Sequence, residues 1–336
     1  MTAQGGARRV LTAAVLLVGA AAPILLPAAP AAGAALAPWK MGVVAVKADS
    51  AFQEIAVRKG FYKEQGLDAE IVYQAGDIPT FRTLLGGLVD VVEISPANPM
   101  VAMEKGAKVR VVASFMPGLP FMLFGKDDIK APKDLLGRVV AVTEPGTFPF
   151  LLTANMLKKH GLDPNKVQYL TVGGDADRVR ALLIGRADAA PAAIEFRAHL
   201  KPGYHTVLSF HQELPQWIRY TFVTSEKVIA ERPGELVKAM IAHAKGVRYA
   251  LAQKDETVAL MAGLGKVERS AVDWVYDWYV KNRLMNPNGI ISRENLQWMQ
   301  ELSVGLGRQT KVLPFDQVAT DAFQKKVLEA IGEHKW

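Results

Sequence analysis

The sequence predicts an α/β protein of two similar lobes, each a mainly parallel sheet with flanking helices. Three observations predict it. First, one phrase occurs twice: TLLGGLVD at 83–90 and ALLIGRAD at 181–188. In each copy two leucines lead to a glycine, Gly87 or Gly185, suited to the left-handed turn that closes a helix. An aspartate, Asp90 or Asp188, then opens a short apolar stretch, VVEI or AAPAAI. Second, the flanks repeat as well. GFYKEQGLDAEIVY and MLKKHGLDPNKVQYL each read as a helix end, a G-L-D turn at Gly66 or Gly161, and a strand. Third, strands alternate with helices at a spacing that favours parallel sheets covered by helices.

The elements follow in order. In the first half, strands are expected at 43–46, 68–73, 91–94 and 109–114, and helices at 51–62, 80–85 and 99–105. Ser50 or Asp49 is placed to cap the first helix. The character changes at 117–120, where PGLPFMLFGKDD reads as a crossing segment with a strand at 121–124. A linker covers 129–136. The second half has strands at 139–142, 167–170 and 188–192 and helices at 149–160 and 175–184. The chain leaves it at 214–219, and the β-prone run 217–223 returns to the first lobe. Lobe 1 is therefore expected to take 38–122 with 220–336, and lobe 2 to take 123–219. The last third reads as helices at 234–251, 256–262, 269–281, 293–304 and 318–329, with Ser292 as an N-cap. Trp274, Tyr276, Trp278 and Tyr279 give one of them an aromatic face, read chiefly as a packing seam.

Residues 1–37 are expected to be a cleaved signal peptide. Arg8 and Arg9 precede the apolar run 10–22, and an Ala/Pro-rich stretch with A-x-A sites follows. That core is short and broken for a membrane span. A paired arginine also occurs in folded-export signals. With no cysteine in the chain, disulfides, thiolate metal sites, thiol nucleophiles and a lipid-bearing cysteine are excluded. The net charge of +7 comes from scattered lysines and arginines. Nucleic-acid binding calls for a concentrated basic footprint, and none is present. The excess suits an anionic ligand or plain solubility.

No G-x-G-x-x-G, Walker loop, H-E-x-x-H or G-x-S-x-G occurs. Neither a catalytic set nor a cofactor or metal site is expected. His205 and His211 are six apart in what reads as a polar loop. The carboxylate pairs Glu54/Glu64 and Asp175/Asp177 lack the convergent partners that acid–base chemistry needs. Binding fits better. In parallel α/β units ligands meet the C-terminal ends of strands and the N-termini of helices, where free N–H groups favour anions. That rule nominates five loops: 47–52, 76–80, 95–98, 143–148 and 173–178. Within them Asp49, Ser50 and Asp77 are candidate contacts. Ser95 and Asn98 form a rigid polar corner, as ligand contacts or caps. Thr143, Gly146 and Thr147 make the sharpest loop, with a capped turn as its plain alternative. Phe52 and Phe148 occupy matching places and suit either a sandwich around a planar group or the core. Glu195 suits an amine or amide, or a surface role. Arg219, beside Trp217 at the return crossing, is the basic candidate for an anion.

These stretches resemble the periplasmic solute-binding proteins of ABC importers for nitrate, sulfonate and taurine, a group that includes binders of thiamine pyrimidine precursors. The matching pieces are GFYKEQGLDAEIV, LLGGLVDVVEISPANPMVAMEKGAKVRVVAS, APKDLLGRVVAVTEPGTFPFLLTANMLKKHGL, LLIGRADAAPAAIEF and TSEKVIAERPGELVKAMIAHAKG, covering most of 41–250. The resemblance implies a type II periplasmic binding protein: two lobes joined by two crossing strands, closing on a small-molecule solute. It implies a periplasmic location and delivery to a membrane permease, with the protein a monomer. Carried onto this chain, it points to residues 49–52, Ser95, Asn98, Thr143, Thr147 and Glu195. An organic anion, a sulfonate or carboxylate, is the first expectation for the solute. A neutral nitrogen heterocycle such as a pyrimidine is the alternative, and an exported enzyme on the same fold a further one. An intracellular pyrimidine-forming relative also exists; the export signal and the absence of cysteine argue against that role.

Overall fold

The computed structural model describes residues 1–2 and 35–335. The expected leader, 1–37, lies outside them apart from its ends. The first half runs β1 (Ala37–Val44), α1 (Ala51–Arg58), α2 (Phe61–Glu64), β2 (Leu67–Gln74), α3 (Asp77–Leu85), β3 (Val91–Ile94), α4 (Ala97–Glu104) and β4 (Val109–Met116). β5 (Phe121–Lys126) follows. The pattern then recurs as β6 (Val139–Val142), α5 (Phe148–Lys159), β7 (Gln168–Thr171), α6 (Asp175–Leu183), β8 (Ala189–Ala193) and β9 (Tyr204–Ser209). After α7 (Phe210–Glu213) comes β10 (Tyr220–Ser225).

The strands form two five-stranded sheets, ordered β2-β1-β3-β10-β4 and β7-β6-β8-β5-β9. The two orders are the same order. In each sheet one strand is antiparallel to its neighbours: β10 between β3 and β4, and β5 between β8 and β9. The other four run parallel to one another. Each antiparallel strand is inserted from across the molecule. β5 follows β4 in the chain but joins the second sheet, and β10 follows the second sheet but joins the first. β3 and β8 are buried along their whole length, which is why they read as continuous apolar runs.

The remaining helices are α8 (Glu226–Glu231), α9 (Pro233–Ala252), α10 (Lys254–Gly265), α11 (Arg269–Lys281), α12 (Arg293–Gly305), α13 (Phe315–Val318) and α14 (Ala322–Ile331). α9 packs on α1. At Gly246 a side chain would meet Ala56 Cβ at 2.6 Å, so glycine and alanine let the two helices approach closely. The aromatic face of α11 is a seam: Tyr276 and Tyr279 are buried. α11 and α12 also touch the second half, through Arg197 over the Trp274 ring and Trp298 against Trp217. No helix among the described residues is long and apolar enough to cross a membrane.

Several details differ from the sequence expectation. The first strand, expected at 43–46, runs Ala37–Val44, beginning six residues earlier. The helix expected at 51–62 breaks at Gly60, whose φ of 75° no helix accommodates. The helix expected at 318–329 is two, with Ala319 extended between them. The returning strand begins at Tyr220, so Trp217 and Arg219 precede it. The stretch around His205, expected as a polar loop, is β9. It is an edge strand paired only with β5, and its half-exposed residues, His205 and Thr206 among them, hid the alternation. The repeat itself held the signal, since the residue 98 positions after Val109 in β4 is Val207 in β9.

Candidate functional site

β1, β2, β3, β6 and β7 all end at one edge of their sheets, and the antiparallel strands β5 and β10 begin at that same edge. The connections there enclose a cavity of about 450 Å³. All five loops nominated from the sequence contribute to its wall: Lys47 after β1, Gly76–Pro79 after β2, Asn98 after β3, Thr143, Glu144, Thr147 and Phe148 after β6, and Gly173–Asp175 with Arg178 after β7. Phe121 at the start of β5 and Arg219 just before β10 complete it. The amino ends of α3, α5 and α6 open at this cavity, and such ends favour negative charge.

Arg219 is the centre of the arrangement. It is 3% exposed. Its guanidinium lies 4.1 Å from the Phe148 ring centroid and 3.9 Å from that of Tyr220. Nη2 donates to the Tyr220 hydroxyl at 2.8 Å. Nη1 stands 3.6 Å from Asp77 Oδ1, too far for a hydrogen bond, and neither Nη1 nor Nε has a hydrogen-bond partner. Burial works to lower its pKa, but Tyr220 and the carboxylates of Asp77, Asp49 and Asp175 outweigh that and raise it. The group is a fixed cation with two buried donors unused.

A second cation faces the same space. Lys47 Nζ pairs with Asp49 Oδ2 at 2.9 Å and lies 5.5 Å from the Tyr220 ring centroid. Burial is the largest influence and opposes its charge, with Arg219 adding to that, yet Asp49, Tyr220 and Asp175 together outweigh them and the pKa rises. Arg178, a third, is already committed. Nε donates to Pro191 O, Nη1 to Thr143 Oγ1 and Gly173 O, and Nη2 to Asp175. It is structural mortar for the second sheet's side of the cavity.

The sequence candidates divide. Asp77, Asn98, Thr143, Thr147, Phe148 and Arg219 line the cavity. Asn98 accepts from Arg308 Nη2 at 2.6 Å, and Thr147 Oγ1 donates to Glu144 O at 2.5 Å. Asp77 Oδ1 accepts from the Ser95 amide at 3.3 Å. Six candidates are not in the wall. Phe52 is wholly buried and stacked on Tyr279 with centroids 5.5 Å apart, so it belongs to the core and the sandwich with Phe148 does not form. Asp49 sits behind Lys47 as its counter-ion. Ser50 caps no helix; its hydroxyl donates to Ala45 O and accepts from the Lys47 amide, shaping the loop. Ser95 Oγ accepts from the Ala97 amide at the start of α4. Gly146 supplies the turn with a φ of 80°. Glu195 is buried and lines a separate recess with Arg197, Ser270 and Trp274. Burial, with Asp49 adding to it, pushes its pKa up to about 8. His205 and His211 do not meet: His205 faces Asp127, and His211 packs on Trp278.

Lys47, Phe121, Tyr220, Glu144 and Arg178 were not singled out from the sequence. For Arg178 a signal existed. A cation in the first turn of a helix opposes the macrodipole, and that mismatch marks a residue held there by other contacts.

Three comparisons bear on this geometry. The family model NMT1/THI5 like matches residues 48–257. The formylaminopyrimidine-binding protein of Halalkalibacterium halodurans is 22% identical over 268 residues, spanning 75% of this chain and 78% of that protein. Among solved structures, the nitrate-binding protein NrtA of Synechocystis PCC 6803 is similar with a TM-score of 0.73 at 17% identity, over 88% of this chain and 89% of that one. The aliphatic sulphonate-binding protein SsuA of Escherichia coli is similar with a TM-score of 0.69 at 16% identity, over 84% of this chain and 92% of that one. The two-sheet architecture is thus that of the periplasmic binding proteins.

Proposed function

The chain belongs to the NMT1/THI5-like family, and from that membership we propose that it is the extracytoplasmic solute-binding component of an ABC importer, exported by its leader and holding a small organic anion between its lobes. The observation that carries the choice of anion is Arg219. Arg219 lines the cavity, two of its guanidinium donors are buried without partners, and an unmet buried donor is costly. A carboxylate or sulfonate oxygen can meet such a donor with a charge-assisted hydrogen bond. Lys47 adds a second cation, and the rings of Phe121 and Phe148 offer an apolar wall for the body of the solute. The cavity has room for far more than nitrate.

A second reading is kept because Asp77, Glu144 and Asp175 line the same space. These acceptors, with the aromatic wall, suit a neutral nitrogen heterocycle, the class to which the formylaminopyrimidine of the named relative belongs. No reaction is assigned. Asp175 and Asp49 are each tied to a cation, Asp77 faces Arg219, and none is poised as a base.

In either reading, each lobe supplies part of the contacts. The solute therefore favours the closed arrangement and delivery to a membrane permease follows from it. Calorimetry against aliphatic and aromatic sulfonates, aromatic carboxylates, nitrate and pyrimidines tests the proposal. Micromolar or tighter binding of a sulfonate or carboxylate is expected. Binding of a pyrimidine alone selects the second reading, and turnover of any of them by the purified protein rejects a pure binding role.

A further inference from the structure

Behind the cavity, on the α1 side of the first sheet, sit two polar side chains that are each 1% exposed: Glu93 on β3 and Gln53 on α1. Gln53 Nε2 donates to Glu93 Oε2 at 2.5 Å. The other oxygen of each, Glu93 Oε1 and Gln53 Oε1, has no partner. An ionised carboxylate only accepts, and an amide oxygen only accepts. As an anion, then, Glu93 leaves two buried acceptors with no donor bonded to either. One proton removes both deficits. Placed on Oε1 it makes a hydroxyl that donates to Gln53 Oε1, while the amide keeps its bond to Oε2.

We propose that Glu93 is a neutral carboxylic acid closed into a two-hydrogen-bond pair with Gln53, and that by staying neutral it leaves Lys47 and Arg219 free to attract the solute's negative charge. Glu93 acts through those two cations and is a positioning residue. The second half of the proposal rests on the anionic-solute reading; the first does not.

The groups around Glu93 agree. Asp49, on the loop before α1, opposes a second negative charge, whereas Lys47 and Arg219 favour one. The Tyr62 hydroxyl of α2 is buried without a hydrogen-bond partner and is itself acted on by Glu93. Burial is the largest influence and Gln53 works against it, with the balance pushing Glu93 up to about 7. Ionisation at higher pH therefore places a negative charge within reach of both cavity cations and weakens their hold on an anion.

Infrared difference spectroscopy tests the first half on the full-length mature protein. At pH 6, wild type minus Glu93→Gln is expected to show one protonated-carboxyl stretch, which fades in wild type as pH passes about 7. The difference against the variant separates Glu93 from Glu195, the other buried acid with a raised value, and the glutamine is isosteric and can still pair with Gln53. No acid band at pH 6 overturns the assignment. The second half is read by calorimetry with benzenesulfonate and benzoate between pH 6 and 8.5. Affinity for wild type is expected to fall several-fold across that range, and E93Q to flatten the profile. An equal fall in both proteins overturns the role of Glu93. If neither anion binds at any pH while the acid band is present, the anionic-solute reading fails and the protonated pair stands.

Discussion

Asp90 and Lys40 are tied by two hydrogen bonds: the Lys40 amide donates to Asp90 Oδ2 at 2.7 Å, and the Asp90 amide donates to Lys40 O at 2.9 Å. The second copy of the phrase repeats this. The Val139 amide donates to Asp188 Oδ2 at 2.9 Å, and the Asp188 amide to Val139 O at 2.7 Å. Each aspartate then takes a cation near the inserted antiparallel strand of its own sheet. Arg232, beyond β10, reaches Asp90 Oδ1 at 2.5 Å, and Lys126, ending β5, reaches Asp188 Oδ1 at 2.7 Å. The repeated aspartate is a clamp that sets strand register, far along the sheets from the cavity edge.

Asp90→Ala and Asp188→Ala should therefore each cost roughly 1–3 kcal/mol of stability by leaving a backbone donor unpaired and taking one carboxylate partner from Arg232 or Lys126. The two sites share no partner, so the costs should add in the double variant. Urea denaturation measures both. Solute affinity should stay within about twofold of wild type; a large loss of binding with unchanged stability would contradict the structural role.

Arg219→Lys should weaken binding of an anionic solute by roughly 30-fold or more, although the charge is retained. Lysine cannot present the planar fork, nor lie flat between the Phe148 and Tyr220 rings. Calorimetry with the best solute from the panel decides it, and an affinity within threefold of wild type would remove Arg219 from the contact set.

Gly246→Ala sets two effects against each other. Alanine is favoured over glycine within a helix by about 1 kcal/mol. Here its Cβ would lie 2.6 Å from Ala56 Cβ and 2.9 Å from Ala56 Cα, the latter backbone of α1. Overpacking of that kind costs about 1–3 kcal/mol, so a net loss of stability is expected. A higher melting temperature in the variant would mean that α9 and α1 separate freely.

Stability should be greater near pH 5 than near pH 8. Burial pushes Glu93 up to about 7 and Glu195 up to about 8. An acid with a raised folded-state value holds a proton that the unfolded chain releases, so its contribution falls as pH climbs from about 4.5 through those values. His243 acts in the other direction. It is packed between Phe115 and Phe222 with neither ring nitrogen bonded, and burial pushes it down to about 3. The unfolded chain takes up the proton it refuses, so stability also falls as pH drops below about 6.5. In the overlap, two acids outweigh one histidine. Glu195→Gln should raise the melting temperature at pH 8 and leave it nearly unchanged at pH 5, with about 5 kcal/mol as the upper limit at high pH. Calorimetric scans at both values check this; equal effects at the two would show that Glu195 does not titrate in this window.

Much of this was legible in the sequence because it is written locally. The L-L-x-G-x-x-D phrase and its G-L-D flanks encode helix ends, turns and strand starts over a few residues, and their repetition located two similar sheets and the loops at their ends. Those five loops are the ones that line the cavity. Ser292 was read as a cap, and its hydroxyl does accept from the Asn295 amide.

What the tertiary structure alone decided is which way each side chain turns. Phe52 and Phe148 hold matching places in the two halves, yet one is stacked in the core on Tyr279 from α11 and the other walls the cavity. Phe52 lies where the C-terminal helices pack on α1, whereas Phe148 stands at the first position of α5, on the cavity edge. Glu195, on its own short turn after β8, lines a separate recess with Ser270 and Trp274 instead of the cavity wall. Arg219 became the central cation because rings from two separate segments, Phe148 and Tyr220, close on it. Sequence by itself determined the two sheets and the edge where their loops meet; burial and pairing between residues far apart in the chain decided which atoms remain unmet there.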